Sequence, residues 1–511
     1  MGIRLLFSTL LVLSWGFNPP SAPAQPQAGN HLTGLPEDRI ARADLERHVR
    51  FLASDELLGR EAGTAGGDAA ARYVAEHFRA AGLKPVPGAE DYFQGVPLVA
   101  QIPDPDGQIT VAGTTFRQHV DLLVRSGATH EGPMPYVFVG SGEEEDYLDL
   151  DVAGKLVIAR VFTHREAPSS ELELAKQARA EEKGAAGFLA LLGSESASVW
   201  PRLLPPWRRP TVQLLQEGET SMPTMRAFDP SEHLISALAA ETEGFADLRT
   251  KGLLVDRTFS SPNVIGIIEG IDSRLSEEHV LLMAHYDHLG AGLHLRGATE
   301  ADSIFNGARD NAIGTATILA AAEALAVDPP ARSIIVAAFT AEEYGILGSR
   351  HYVENPPVPL ENTVFGLNID AGGLSDTSVA VLVGMGRTTA DALLLEGVSA
   401  VGLGLIDDPV PEANLFERSD NVHFAMRGVP AVTISPGFHS LRDERVSRYY
   451  HQPADEVDDD FDFAYLQRFA RAYTGAARFV ADAVETPRWA AGDPYEEAWK
   501  RLYLSTPGAQ P

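Results

Sequence analysis

Apolar runs that stop abruptly at ionisable side chains are the feature that most limits how this chain can fold. The run 280–284 ends at His285 and Asp287, and the run 333–340 is soon followed by the acidic pair 342–343. Apolar runs of this length, bounded by polar residues, are typical of strands buried inside a sheet. Open α/β folds place their ligand sites at the carboxyl ends of such strands. The pattern therefore predicts an α/β fold with a polar site at one edge of its sheet.

Three further polar positions extend this pattern. Asp310 precedes the helical pattern 315–325, and Asp370 ends the short run 367–369. His451 follows in a late loop. One histidine or aspartate at a strand end is commonly a cap or a surface group, but several are harder to explain because buried charges without partners are costly. Imidazole nitrogen and carboxylate oxygen are ligands of divalent metal ions, so these residues predict a metal-dependent hydrolase.

The composition excludes several other kinds of site. The chain has no cysteine, so disulfides, thiolate zinc sites and cysteine nucleophiles are excluded, and any metal must be held by His, Asp and Glu. The formal net charge is −30, from 41 basic and 71 acidic residues. Long-range repulsion at this charge opposes the approach of nucleic acid or of an anionic membrane. We therefore expect neither a nucleic-acid partner nor stable membrane association.

The first residues have the order of a secretory signal. Arg4 precedes the apolar run 5–15, and small residues follow up to Ala24. A charged residue, an apolar run and small residues before a cleavage point are typical of a signal peptide. This apolar run is too short to span a bilayer comfortably, and an uncleaved membrane anchor is the less favoured alternative. We expect a signal peptide at 1–24, cleavage after Ala24, a polar linker at 25–36, and a secreted or periplasmic protein.

The length of 511 residues predicts more than one domain. We expect a main domain in two parts, 37–126 and 251–486, with the polar site in the second part. An inserted, mainly β domain is expected at 127–250, where short strands alternate with turn residues, and a peripheral tail at 487–511. In the second part of the main domain, apolar runs alternate with helical patterns. This alternation favours a three-layer α/β/α fold with a mixed, largely parallel central sheet.

A glycine-rich segment, residues 59–67, lies between two helical patterns at 39–53 and 68–81. Such segments can bind phosphate groups, but this one lacks the Gly-Lys-Ser/Thr ending of a nucleotide-binding loop. We interpret it as a structural turn.

The polar positions, taken in order, resemble the motifs of the M28 zinc peptidases, a family that includes many bacterial secreted aminopeptidases. Order and spacing agree across residues 45–124 and 255–484. The insert resembles a protease-associated (PA) domain through residues 151–157 and 183–187. The motifs that carry the first resemblance are His285-Tyr286-Asp287-His288-Leu289-Gly290, Asn306-Gly307-Ala308-Arg309-Asp310-Asn311, Ala341-Glu342-Glu343-Tyr344-Gly345, Asn368-Ile369-Asp370, Ser419-Asp420 and Tyr450-His451.

The resemblance implies a centre of two Zn²⁺ ions, although ligands of these types accept other divalent ions as well. Asp310 would bridge both ions. His285 and Asp370 would complete one site, and Glu343 and His451 would complete the other. An open coordination position would hold a water molecule.

Three further residues receive roles from the same resemblance. Glu342 would act as the general base, taking a proton from the attacking water and delivering it to the leaving amine. Asp287 would accept a hydrogen bond from the far ring nitrogen of His285 and so select its tautomer. Tyr450 would donate a hydrogen bond to the tetrahedral oxyanion, a role that Tyr449 beside it could also fill.

The chain departs from the family pattern at two positions. Arg309 stands where Asp is common, and Ile313 stands where a small Ser is common. Neither is the bridging position, so we expect the metal site to be kept. The remaining histidines near these motifs are interpreted as supporting, surface or cleft residues rather than ligands: His288, His294, His423 and His439.

Together these inferences favour a peptidase that acts on peptide substrates, most simply an aminopeptidase that removes residues from peptide N-termini. Two alternatives stay open on the same fold, a carboxypeptidase and a single-zinc glutaminyl cyclase. A non-catalytic receptor or scaffold module is a third. Relatives of that kind lose ligands or the base, whereas this chain keeps all six positions. The residue preference at the scissile bond, the native metal and the oligomeric state are left open by the sequence.

Overall fold

The computed structural model describes residues 36–126, 130–161, 170–198, 200–204, 210–215, 222–250, 253–370 and 374–504. The predicted signal peptide 1–24, its cleavage point and the predicted linker 25–36, apart from Pro36, lie outside the described residues. They therefore stay predictions. Within the described ranges, no helix combines the length and the apolar character needed to cross a membrane.

Two large sheets and one short two-stranded ribbon contain the strands of the described residues. Their bounds are β1 Phe93–Pro103, β2 Gln108–Val111, β3 Thr114–Arg117, β4 Leu122–Ser126, β5 His130–Phe138, β6 Leu156–Arg160, β7 Gly187–Leu192, β8 Thr211–Leu214, β9 Thr224–Phe228, β10 Glu243–Thr250, β11 Leu253–Ile268, β12 His279–His285, β13 Gly290–Ala291, β14 Ile304–Phe305, β15 Ser333–Phe339, β16 Thr363–Ile369, β17 Val379–Val383, β18 Gly404–Asp407 and β19 Ala431–Pro436.

The main sheet has the strand order β18-β17-β19-β16-β12-β15-β11-β1-β8. Its centre is parallel, because β12 pairs in parallel with β15 and β16, and β16 pairs in parallel with β19. Strands β11 and β1 continue the sheet in antiparallel orientation. The residues of β15 and β16 are buried throughout, so these sequences are nearly continuously apolar rather than alternating. The predicted mixed sheet is confirmed, with its parallel part at the centre.

Helices cover both faces of the main sheet. One face packs against α1, α2, α6, α8 and α11, and the other packs against α7 and α9. Helix α6 is buried nearly all round, which matches its almost uniformly apolar sequence. The three-layer α/β/α fold is therefore confirmed. The helices are α1 Arg42–Leu52, α2 Ala65–Ala81, α3 Ser170–Glu182, α4 Trp200–Leu203, α5 His233–Ala240, α6 Ile313–Val327, α7 Leu347–Glu354, α8 Asp391–Ala400, α9 Asn421–Arg427, α10 Glu444–Tyr449, α11 Phe463–Asp482 and α12 Glu496–Trp499.

The second sheet lies in the chain between β1 and β11 and has the order β3-β2-β10-β5-β6-β7-β9-β4. Separate apolar clusters pack on its two faces. Strands β2 and β4 pair with β10 and β9, so this sheet begins at Gln108 and takes in strands before the predicted boundary at 127. Strand β8 instead pairs with β1 in the main sheet. The likeness of this insert to a PA domain stays a prediction.

Helix α7 begins later than the sequence pattern predicts. The sequence over residues 344–354 predicts a helix, but Gly345 and Ile346 have φ angles of +104° and +62°. Backbone in this left-handed region cannot continue a right-handed helix. Residues 344–346 instead belong to a turn between the end of β15 and the start of α7. The acidic pair, Glu342 and Glu343, lies in the same turn.

Candidate metal centre

The central strands bring three of the predicted ligand segments to one edge of the main sheet. His285 is the last residue of β12, Asp370 follows β16, and Glu343 lies in the turn after β15. Strand β12 lies between β16 and β15 and is parallel to both. Ala284 near its end pairs with Ile369, the last residue of β16, and His285 pairs with Phe339, the last residue of β15. The carboxyl ends of all three strands therefore meet at one edge, as the apolar runs predicted.

Asp310 reaches the same edge from a helical turn, Ala308–Ala312, that leads into α6. The carboxylate of Asp455 accepts hydrogen bonds from the backbone N–H groups of Arg309 and Asp310 at 3.0 Å. The side-chain amide of Asn311 donates to the carbonyl oxygen of Ile369 at 2.9 Å. These bonds attach the turn to β16 and to the loop after His451.

The other four predicted ligands gather around the carboxylate of Asp310. Its Oδ1 lies 3.4 Å from Nε2 of His285, which lies 3.5 Å from Oδ1 of Asp370. Its Oδ2 lies 3.2 Å from Nε2 of His451, which lies 3.2 Å from Oε2 of Glu343. The ligands thus form two groups, and Asp310 contributes a different oxygen to each.

The spacing of these atoms suits divalent metal ions. Zinc bonds of about 2.0–2.2 Å in tetrahedral geometry put neighbouring ligand atoms about 3.3–3.6 Å apart, close to the separations within both groups. Nε2 of His285 and Oε1 of Glu343 are buried and make no hydrogen bond in the described structure. Buried polar atoms without hydrogen bonds are costly, so a cation within each group would compensate a cost that the described protein atoms leave open.

His288 enters the centre although the sequence interpretation set it aside. This buried imidazole lies with Nδ1 at 2.6 Å from Oε1 of Glu343, and it groups with Glu343 and Asp310 as possible ligands of one ion. Neither of its ring nitrogens makes a hydrogen bond in the described structure. His288 lies in a loop three residues after the end of β12, where no helical or strand periodicity predicts which way a side chain points. Only the folded turn shows that it faces inward.

Opposite charges at the centre outweigh the effect of burial on several side chains. Burial lowers the pKa of His451, but the carboxylates of Asp310 and Glu343 raise it to about 11. Burial and the charge of Asp310 raise the pKa of Glu343, yet the two nearest histidines bring it to about 2. Burial also raises the pKa of Asp310, but the imidazoles of His285 and His451 close to its carboxylate hold it well below its usual value. Ionised carboxylates of this kind supply the negative charge that a divalent cation needs.

Glu342 lies beside the ligand groups without belonging to either. Its Oε2 is 4.0 Å from Nε2 of His285, farther than the predicted ligand atoms. Burial raises the pKa of Glu342 well above the usual value. The charge of His285 opposes this rise, whereas the negative charges of Asp370 and Glu343 add to it. Ala341 before it has a φ of +55°, a strained conformation that is concentrated at functional sites. The arrangement favours a carboxylate that takes up a proton more readily than a solvated glutamate does.

Asp287 contacts His285 differently from the prediction. Nδ1 of His285 lies 3.2 Å from the backbone carbonyl oxygen of Asp287 but 3.9 Å from its carboxylate. The carboxylate instead accepts hydrogen bonds from the backbone N–H groups of Glu342 and Glu343 at 3.1 and 3.4 Å. Asp287 therefore supports the tautomer of His285 through its main chain, and its side chain holds the turn that carries the acidic pair.

Tyr450, rather than Tyr449, faces the open side of the centre. Its ring stacks on His451 with centroids 4.0 Å apart, and its hydroxyl accepts a hydrogen bond from Arg418 at 3.0 Å. Burial raises the pKa of Tyr450, so the hydroxyl keeps its proton. The hydroxyl of Tyr449 donates to Asp458 at 2.6 Å. Tyr450 and Asp370 border a cavity of about 300 Å³, whose apolar lining is Val383, Leu415, Phe438, Leu441 and Val446.

The two departures from the family pattern do not disturb the ligand positions. Ile313 is fully buried at the start of α6. The guanidinium of Arg309 lies over the ring of Tyr449, with 3.6 Å between its carbon and the ring centroid, and pairs with Asp455 and Asp458 at 3.3 and 2.9 Å. Arg309 thus attaches the turn of Asp310 to the loop that follows His451.

Comparisons with known proteins agree with this geometry. Residues 263–477 match the model of peptidase family M28. The aminopeptidase YwaD of Bacillus subtilis (strain 168) is 27% identical over 212 residues, 39% of this chain and 40% of that protein. The chain therefore matches less than half the length of this curated relative.

Among solved structures, an aminopeptidase from Aneurinibacillus sp. strain AM-1 is similar over 88% of this chain and 98% of its own, with a TM-score of 0.54 and 18% identity. This likeness supports the fold. BSAP, a zinc aminopeptidase from Bacillus subtilis, covers 86% of this chain and 94% of its own at 22% identity, with a TM-score of 0.46.

Proposed function

We propose that this chain, whose residues 263–477 match the model of peptidase family M28, is a member of that family and an exported, zinc-dependent aminopeptidase with a two-metal centre. One observation carries the proposal. The two oxygens of Asp310 face two separate ligand groups, with His285 and Asp370 on one side and Glu343 and His451 on the other. A carboxylate shared in this way is the arrangement that two adjacent divalent ions need.

The residues of this chain divide the chemistry among them. When bound, the zinc ions would polarise the scissile carbonyl group and lower the pKa of a water molecule. Glu342, which lies outside both ligand groups, would accept the proton of the attacking water and return it to the leaving amine. The hydroxyl of Tyr450 would donate a hydrogen bond to the oxygen that becomes negative in the tetrahedral intermediate.

The surroundings of the centre favour a substrate with a free amino group. Asp370 is partly exposed and borders the cavity beside Tyr450, so the amino group of a substrate seated there would meet its carboxylate. Arg418 also lines the cavity, but its guanidinium is bonded to the hydroxyl of Tyr450. Negative charge attracts an ammonium group and repels a carboxylate. The apolar lining of the cavity suits a large apolar side chain on the N-terminal residue.

A panel of fluorogenic peptides tests the proposal. It compares the same apolar residue with a free amine, with a blocked amine and with a free C-terminal carboxylate, each with and without a chelator. We expect turnover of the free-amine substrate alone, lost with the chelator and restored by Zn²⁺. Preferred cleavage next to the free carboxylate would favour a carboxypeptidase, and no turnover of any substrate by zinc-loaded protein would favour the scaffold alternative.

Export rests on the charged, apolar and small-residue order of residues 1–24. Expression of the full chain in a bacterium, followed by N-terminal sequencing of the extracytoplasmic fraction, tests this part. We expect the mature protein to begin at Gln25. A full-length protein confined to the cytoplasm would contradict export without affecting the proposed chemistry.

A further inference from the structure

The glycine-rich segment 59–67 has no part in the chemistry proposed above, yet it lies directly behind the metal centre. We propose that Arg60 is a positioning residue that, together with Glu61, holds the ligand-bearing segments at the spacing a metal requires. This inference rests on the proposed function, because it assumes that those segments bind zinc.

Arg60 is fully buried and binds the backbone of two ligand-bearing segments at once. Nε donates to Tyr286, beside the ligand His285, at 2.7 Å, and Nη2 donates to Gly307 and Asp310 at 2.7 and 3.2 Å. Altogether the guanidinium donates to five backbone carbonyl oxygens, those of Leu52, Tyr286, Asn306, Gly307 and Asp310.

Only a planar guanidinium has enough donors in a fixed fork to serve so many acceptors. In the described structure no carboxylate forms a salt bridge with Arg60 within 4.0 Å. Burial lowers the pKa of Arg60 to about 10, so it stays charged at neutral pH, with the carboxylates of Asp310 and Glu343 among the groups that favour the charge. A positive charge behind the centre also offsets part of the repulsion between its carboxylates.

Glu61 extends the same contact to the third ligand-bearing segment. The hydroxyl of Tyr344 donates a short hydrogen bond to Oε1 of Glu61. Tyr344 directly follows Glu343 in the turn after β15. Two consecutive residues of the glycine-rich segment therefore contact the segments that carry His285, Asp310 and Glu343.

The local backbone is adapted to this contact. Leu58, Gly59 and Arg60 have φ angles of +46°, +70° and +40°, so three consecutive residues lie in the left-handed region. A Cβ atom on Gly59 would lie 2.4 Å from the carbonyl oxygen of Gly290. Such strain persists only where the surrounding structure imposes it, and it is concentrated at functional sites. The segment is thus a turn, as expected, but a turn that presents Arg60 to the metal centre.

A second buried arginine offers a matched control. Arg332 is also fully buried, donates to the backbone carbonyl oxygens of Val480 and Ala483, and pairs with Glu278 at 2.7 Å. None of these partners belongs to a ligand-bearing segment. Arg60→Lys and Arg332→Lys both keep a positive charge and both lose a multi-point contact, so they should lower stability alike. Only the first should affect metal binding.

The experiment measures Zn²⁺ affinity of the metal-free full chain by competition with a chromophoric chelator, alongside the Tm of the metal-free protein. We expect Arg60→Lys to weaken Zn²⁺ binding about 10–100-fold, the range found when groups that support metal ligands are removed. Arg332→Lys should lower Tm but leave Zn²⁺ affinity within about twofold of wild type, because its partners lie outside the centre. Equal affinities for the two variants would overturn the proposal.

Tyr344→Phe keeps the proposal testable if Arg60→Lys fails to fold. It removes one hydrogen bond to Glu61 and should weaken Zn²⁺ binding severalfold, whereas unchanged affinity would overturn the role of the segment. The wild-type titration separates the two proposals. A wild-type chain that binds no Zn²⁺ contradicts the proposed function itself, while normal wild-type binding with no specific loss in these variants contradicts only the inference about the segment.

Discussion

Buried charged side chains in the two large sheets differ in their hydrogen-bond partners. In the insert, Nε of the buried Arg226 donates to both carboxylate oxygens of Glu173 at 2.9 and 2.8 Å. At the edge of the main sheet, Nε2 of His285, both ring nitrogens of His288 and Oε1 of Glu343 are buried without a hydrogen bond in the described structure. Both regions contain opposite charges in contact, but these atoms of the metal centre lack the hydrogen bonds that the ion pair in the insert makes.

The difference separates a structural ion pair from a binding site. A two-point pair satisfies both partners, so nothing more is needed at that position. Polar atoms that converge without bonding leave the free-energy cost of their burial uncompensated until a further group arrives. Substitutions at the main-sheet centre should therefore change metal content, turnover or both, and substitutions in the insert should change stability alone.

Asp310→Asn should have the largest effect on activity. Loss of the shared carboxylate removes a ligand from both groups, so we expect lower zinc content and a fall in kcat/KM on the order of 10⁴-fold, since Lewis-acid catalysis is worth several kcal/mol. Elemental analysis after dialysis and peptide turnover measure the two effects. Asp376→Asn, at a carboxylate that pairs with His439 outside the centre, is the control. Full occupancy by two ions in Asp310→Asn would refute the bridging role.

Glu342→Gln should come next. Because Glu342 lies outside both ligand groups, the variant should keep wild-type zinc content while kcat falls about 10³-fold, within the range for loss of a general base. Steady-state kinetics and metal analysis on the same sample test this. Glu343→Gln, one residue later, should instead lower zinc content. Unchanged turnover in Glu342→Gln would remove Glu342 as the base.

Tyr450→Phe should have a smaller effect. Loss of one donor to the developing oxyanion costs about 10²-fold in kcat, with little change in KM because the ring still stacks on His451. Tyr449→Phe is the adjacent control, since its hydroxyl binds Asp458 and faces away from the cavity. If the two variants have the same kcat, Tyr450 has no specific role in the reaction.

Glu173→Gln in the insert should leave turnover and zinc content at wild-type values. It leaves the charge of Arg226 buried without a carboxylate, so the free energy of unfolding should fall by about 3–5 kcal/mol. Denaturant titration measures the loss. Glu243→Gln, in an ion pair with Lys155 that is largely exposed on the glutamate side, should change stability by less than about 1 kcal/mol. A large drop in zinc content in Glu173→Gln would show that the comparison between the sheets is wrong.

The sequence pattern predicted much of the main domain because its signals are local. The continuous apolar runs predicted β12 and β15 nearly to the residue and the end of β16, since a strand buried on both faces has few polar positions to obscure it. The insert was harder to delimit. Strands β2–β4 precede the predicted boundary because strand partners are chosen by long-range pairing, which a local pattern does not contain.

Within the centre, residues at strand ends were foreseeable and their supports were not. His285 and Asp370 follow apolar runs, so their position at the sheet edge could be inferred. Arg60 belongs to a turn more than 200 residues from Tyr286 in the chain, and nothing in its neighbourhood indicates that partner. The inward direction of His288 and the contact of the Asp287 side chain with the acidic turn likewise depend on how that turn folds.

The amino-acid sequence by itself determined which donor atoms are available, that no thiolate is among them, and that several stand where buried strands end. Those properties follow from side-chain chemistry and short-range periodicity. The tertiary structure alone decided that Asp310 offers one oxygen to each of two groups, and that a buried arginine holds the surrounding backbone. Distances of 3.2–3.5 Å between residues far apart in the chain are set by strand register and loop closure, which emerge only when the whole core packs.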